Sequence, residues 1–188
     1  MLEVYDDLYT DDFLVALNAL SRDLSWGYAN TANRYQYPSR SPLAKGSHVF
    51  FGRRIYQKHS PYRINNDTPD EFFDVLENFV FNVLQDNSLE LIGIDTNLQI
   101  LGQNGTAHRD IMAGNDEDRT IMFYPHYKWE ESWGGQFQVL DENENVKEEY
   151  YPLPGRIIYF DSTVLHRALG PTVPDTPRIS IAFRMRKV

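Results

Sequence analysis

Residues 155–168 read Gly155-Arg156-Ile157-Ile158-Tyr159-Phe160-Asp161-Ser162-Thr163-Val164-Leu165-His166-Arg167-Ala168. Four consecutive β-branched or aromatic residues, a polar Asp-Ser-Thr break and a second short apolar run make two brief strands. A helix would need a longer apolar stripe at 3.6-residue spacing. The same pattern recurs on both sides, at Leu89–Ile94, Leu98–Leu101, Thr120–Tyr124, Gln136–Leu140 and Arg178–Met185. Many short strands without helices between them predict a mostly β core, closed as a barrel or jelly roll.

Upstream the period changes. Thr10-Asp11-Asp12 precedes Phe13, Leu14, Leu17, Leu20 and Leu24, which predicts an amphipathic helix with acids in its first turn. Thr68-Pro69-Asp70-Glu71 offers an N-cap, a proline at N1 and a capping-box acid. Phe72, Phe73, Val75, Leu76, Phe79, Val80 and Leu84 then carry a second helix to about Gln85. Both helices are expected to flank one outer face of the β core. Residues 26–66 read as long loops with short strands near Val49, Phe50 and Phe51. A chain of 188 residues fits one domain, with residues 1–88 as a helical and loop support and 89–188 as the β core.

Composition excludes several chemistries. There is no cysteine, so thiolate metal sites, disulfides and cysteine nucleophiles are out, and any metal must use His, Asp or Glu. A formal net charge of -9 argues against nucleic-acid partners. No apolar run approaches a membrane span and no signal peptide is evident, which predicts a soluble, cytoplasmic protein. The acid-free segment Leu24–Asn66 departs from the acidic whole, carrying Arg34, Arg40, Lys45, Arg53, Arg54, Lys58 and Arg63 among Tyr35, Tyr37, Tyr56 and Tyr62. It reads first as a basic surface offsetting acidic neighbours, and second as a substrate-facing lid.

The chemistry-bearing residues lie in the β half. His108 and Asp110 are two apart, so on an extended strand both side chains face one way. A third ligand is available at His166, in Leu165-His166-Arg167 at the end of the apolar run Ile157-Ile158-Tyr159-Phe160, and is expected on a barrel strand too. Two imidazoles and one carboxylate bind a divalent ion on one face and leave positions open, the ligand set of non-haem iron(II) oxygenases. His48, His59 and His126 receive a structural or surface reading. Twelve residues after His166, Arg178 and Ser180 share a face, and a guanidinium with a hydroxyl suits the carboxylate of an anionic cosubstrate.

From about Leu98 to Met185 the chain resembles the 2-oxoglutarate and iron(II)-dependent dioxygenases, particularly their prolyl-4-hydroxylase-like branch. The matching residues come in order: His108-x-Asp110, Arg119-Thr120 leading to Tyr124, Gly134-Gly135-Gln136-Phe137, Pro154-Gly155 before Phe160, His166, and Arg178-x-Ser180. The resemblance implies a double-stranded β-helix of the cupin-like kind, with Fe(II) held by His108, Asp110 and His166. It also implies 2-oxoglutarate held at Arg178, Ser180 and Tyr124, O2 as oxidant, and hydroxylation of a peptide or small-molecule substrate with release of succinate and CO2. The chain departs from that branch in having Arg178 where lysine is usual, Gly134-Gly135-Gln136 for Gly-Gly-Glu, and Tyr124-Pro125-His126 for Tyr-Leu-Asn. These departures leave substrate identity untransferred.

Three other classes remain open on the residues alone, one of them a nucleic-acid repair oxygenase that would use the basic segment against the net charge. A cupin-like metal enzyme would keep the metal trio without needing Arg178 and Ser180, and a non-catalytic jelly-roll module would need neither. Gly134 and Gly135 are expected to serve a turn of positive φ, and Trp129 and Trp133 to pack around it.

Overall fold

The computed structural model describes residues 1–31, 49–58, 68–110 and 117–188. Along the chain run β1 (Leu2–Tyr5), α1 (Asp11–Arg22), β2 (Gly27–Thr31), β3 (Val49–Gln57), α2 (Asp70–Glu77) and β4 (Leu89–Gln99). There follow β5 (Arg119–Phe123), β6 (Phe137–Leu140), β7 (Val146–Tyr150), β8 (Ile157–Asp161), β9 (His166–Ala168) and β10 (Arg178–Lys187). The larger sheet has the order β1-β8-β5-β10-β4-β3-β2 and the smaller one β7-β6-β9, and every pairing is antiparallel. This mostly β, two-sheet jelly roll is the architecture the sequence predicts.

Strand alternation sorts the larger sheet into two apolar faces. Ile121 and Phe123 of β5, Ile157 and Tyr159 of β8, and Ile181, Phe183 and Met185 of β10 meet Leu14 and Leu17 of α1 and Phe72, Val75 and Leu76 of α2. The intervening residues Met122, Tyr124, Ile158, Phe160 and Ala182 face inward onto Phe137 of β6. A slip of one residue would exchange these sets, so the register is fixed by burial on both sides.

The helices form for the expected reasons, with one change. Thr10 caps α1, its hydroxyl accepting from the Phe13 N–H at 3.4 Å. Thr68 does not cap α2: Pro69 holds that position, and the Thr68 hydroxyl donates instead to the Ile55 carbonyl of β3 at 2.8 Å. After Glu77 the helix widens into a π-helix over Asn78–Leu84 that keeps Phe79 and Val80 buried, and left-handed Gln85 (φ 52) stops it.

Leu89–Ile94 and Leu98–Leu101, expected as two strands, are one strand. Asp95, Thr96 and Asn97, which read as a break, all pair within the sheet. Asp95 is accommodated there because Arg54 and Arg184 both contact its carboxylate, at 2.7 and 2.8 Å. Two edge strands, β1 and β7, were not expected from their composition. Among the described residues no helix is long and apolar enough to cross a membrane.

Candidate metal centre and cosubstrate pocket

His166 opens β9, where its backbone is paired with Val139 of β6 on one side. On the other side it forms an isolated antiparallel bridge with His108, the N–H of each donating to the carbonyl of the other at 2.9 Å. His108 and Asp110 therefore do not lie on a regular strand as expected. Their segment is stitched to the β8–β9 connection by single bonds, including Asp110 N–H to the Ser162 carbonyl at 2.9 Å.

The side chains converge. The ligand atoms of His108, Asp110 and His166 all lie within 4.8 Å of one another. The imidazole Nε2 atoms stand 3.7 Å (His108) and 4.0 Å (His166) from the Asp110 carboxylate oxygens. Nδ1 of His108 faces the Thr106 carbonyl at 2.9 Å, and Nδ1 of His166 faces the Val164 carbonyl at 3.0 Å. A carbonyl only accepts, so each Nδ1 carries the proton and each Nε2 presents a lone pair to the common centre. The Thr120 hydroxyl donates to Asp110 Oδ2 at 2.8 Å and orients the carboxylate. Phe137 stacks on the His166 ring at 4.9 Å and Phe160 meets it edge-on at 5.0 Å.

Electrostatics favours the metal-binding protonation states. Burial opposes ionisation of Asp110, but His166, His108, Arg184 and the Thr120 hydroxyl outweigh it and hold the carboxyl below its usual range. Burial, reinforced by His108, pushes His166 down to about 4 against the pull of Asp110. Two imidazole nitrogens and a carboxylate gathered around one point suit a divalent ion such as iron(II).

Arg178 is buried to 1% exposure. Its guanidinium donates to the Gly135 carbonyl (2.7 Å), Gln99 Oε1 (2.8 Å), the Tyr124 hydroxyl (3.0 Å) and Ser180 Oγ (3.4 Å). All four acceptors are neutral, and among the described residues no carboxylate forms an ion pair with it. Burial works against its charge and the Tyr124 hydroxyl partly restores it. A fully desolvated cation without a counter-charge is costly, and an anionic ligand carboxylate would relieve that cost. Ser180 and Tyr124 touch the same guanidinium, so the three side chains together could hold a ligand carboxylate.

The neighbouring turn has the backbone the sequence suggests, with φ of +71° at Gly134 and +79° at Gly135. A Cβ at Gly135 would fall 2.8 Å from the Trp129 ring and 3.3 Å from Arg178 Cδ, so the glycine also makes room for the cation. Trp129 packs there, its indole N–H donating to the Gly134 carbonyl at 3.1 Å. His126 is structural: its Nε2 accepts from the Ile179 N–H at 3.3 Å, and burial drives its pKa down to about 3. Arg34, Arg40, Lys45, Arg63, Tyr35, Tyr37, Tyr62, His48 and His59 lie outside the described residues, and with them most of the expected lid. Of the same basic segment, Arg54 pairs with Asp95 and Lys58 with Glu90, as an offsetting surface would. Gln99 lies outside every motif read from the sequence, while Thr120 and Gly135, read there only as motif members, contribute a hydroxyl to Asp110 and a carbonyl to Arg178.

The family model described as the 2OG-Fe(II) oxygenase superfamily matches residues 96–186. No curated protein sequence matches the chain. A Pseudomonas putida prolyl-4-hydroxylase structure superposes with TM-score 0.64 at 15% identity, covering 100% of this chain and 92% of that one. A Trichoplax adhaerens prolyl hydroxylase in complex with a hypoxia inducible factor peptide fragment gives TM-score 0.64 at 12% identity, over 99% and 83% of the two chains. A non-haem α-ketoglutarate-dependent carbocyclase from nogalamycin biosynthesis gives 0.64 at 10%, over 98% and 79%.

Proposed function

We propose that this chain, whose residues 96–186 match the model of the 2OG-Fe(II) oxygenase superfamily, is an oxygenase that uses Fe(II), 2-oxoglutarate and O2. Residues 1–188 act as one catalytic domain. His108, Asp110 and His166 hold the iron; Arg178, Ser180 and Tyr124 hold the far carboxylate of 2-oxoglutarate. The reaction is hydroxylation of a C–H bond in a peptide or small molecule, with succinate and CO2 released. The observation that carries this is the buried guanidinium of Arg178, surrounded by neutral acceptors, one of which, Tyr124, shares a core cluster with the Phe137 and Phe160 rings that pack on His166. The cupin-like and binding-module alternatives give no reason for such a cation.

Iron with 2-oxoglutarate supplies the oxidising chemistry, and the chain's own residues position and shield it. The Nδ1 hydrogen bonds fix both imidazoles as Nε2 donors, and Thr120 stops the Asp110 carboxylate from rotating. Arg178 counters one cosubstrate charge while Asp110 counters one metal charge, so the loaded site is neutral overall and can remain dry. Phe137 and Phe160 exclude water from the His166 side.

Anaerobic addition of Fe(II) and 2-oxoglutarate should give the visible charge-transfer band of the chelate, and replacing His166 by Ala should abolish it. Arg178→Leu should raise the 2-oxoglutarate requirement by a factor corresponding to about 3–5 kcal/mol, the usual loss when a buried pair is broken. An unchanged requirement in that variant refutes the assignment of Arg178. Succinate release stimulated by peptides or by small molecules then separates the two substrate classes.

A further inference from the structure

Building on the role given above to Arg178, we propose that Gln99 is the positioning residue that aims this guanidinium and leaves its charge unanswered. The cation is thereby held ready for the distal carboxylate already assigned to it. Gln99 is the last residue of β4 and sits directly opposite Arg178 in the β4–β10 register, 1% exposed. Its carboxamide has no freedom to turn over. Nε2 donates to the Gln103 carbonyl at 2.6 Å and to the Ala168 carbonyl at 3.2 Å, both of which only accept. Oε1 is thereby turned toward Arg178 Nη1 at 2.8 Å, the only polarity that a guanidinium tolerates.

The choice of amide over acid is what matters electrically. A glutamate has the same length and would place a carboxylate against Arg178, a built-in substitute for the cosubstrate's own. The glutamine instead gives the cation a hydrogen bond without a counter-charge, so neutralisation waits for the ligand. Ala168 lies on β9, the strand that begins with His166. One side chain thus ties the cation of the cosubstrate pocket to the metal-bearing strand.

The test uses the full chain, anaerobic and loaded with Fe(II), titrated calorimetrically with 2-oxoglutarate and with 2-oxobutanoate, which chelates alike but lacks the distal carboxylate. Gln99→Glu should weaken 2-oxoglutarate by about a hundredfold or more, because an internal anion already occupies the guanidinium. It should leave 2-oxobutanoate within about twofold, since that ligand makes no demand on Arg178. Gln99→Met, which removes the tether without adding charge, should cost 2-oxoglutarate about tenfold, the worth of a hydrogen bond to a charged group. A merely structural glutamine predicts otherwise, with both acids losing affinity together in each variant. Equal losses for the two acids, or a Met variant that binds 2-oxoglutarate like the wild type, overturn the proposal. Should the wild-type protein itself show no preference for 2-oxoglutarate, the role of Arg178 falls instead.

Discussion

His126 shows how a side chain near a reactive centre can be wholly structural. It is neutral because its ring is buried beside Trp129, with ring centroids 4.5 Å apart, and because Arg178 repels a proton there. Its folded pKa, about 3, lies below the ordinary 6.5. Between those values the unfolded chain binds a proton that the folded chain refuses, so stability falls as pH drops through that window and is unaffected above it. The slope is at most about 1.4 kcal/mol per pH unit. His126→Gln keeps an acceptor for the Ile179 N–H but does not titrate. In urea unfolding at pH 7 and pH 5, the wild type should lose up to about 2 kcal/mol more than this variant. Equal losses would show that the ring is not held neutral.

At the level of elements, the turn before β6 carries more than its two glycines suggest. Gly135→Ala forces a Cβ onto φ +79°, against the Trp129 ring and Arg178 Cδ. The strained backbone should cost about 1–3 kcal/mol of stability, and the displaced guanidinium should weaken 2-oxoglutarate while leaving iron affinity intact. Parallel melting and titration measurements check both halves. The central strands and the first helix were legible because burial on both faces of the larger sheet demands runs such as Ile157–Phe160 and Arg178–Met185. The edges were not. β7 reads Val-Lys-Glu-Glu-Tyr and is mostly exposed, so nothing in its polarity announces a strand. His108, Asp110 and His166, which the structure gathers, and Arg178 with Tyr124 stand out in the sequence by spacing and order, since the residue types themselves are common. Gln99 is an ordinary polar residue whose meaning depends on a partner 79 positions away.

For the molecule as a whole, the centre joins separate pieces of the chain. The segment reaching Asp110 is attached to the β8–β9 region through the Gly105 N–H to Ala168, the His108–His166 bridge and the Asp110 N–H to Ser162. A metal ion bound by the folded chain and not by the unfolded one stabilises it by mass action, about 2.7 kcal/mol at a hundredfold excess over Kd. Chelation should therefore lower the melting temperature, and hydrogen exchange should quicken first at the amides of His108 and Asp110. Uniform acceleration across β5 and β10 would contradict this picture.

The smaller sheet ends at β7 with Lys147, Glu148 and Glu149 turned to solvent. A second chain trying to extend that sheet would have to lay its own backbone alongside adjacent carboxylates and an ammonium, each demanding its water. Fibre-like growth from this rim is thereby discouraged, and concentrated solutions of the protein should stay free of cross-β aggregates.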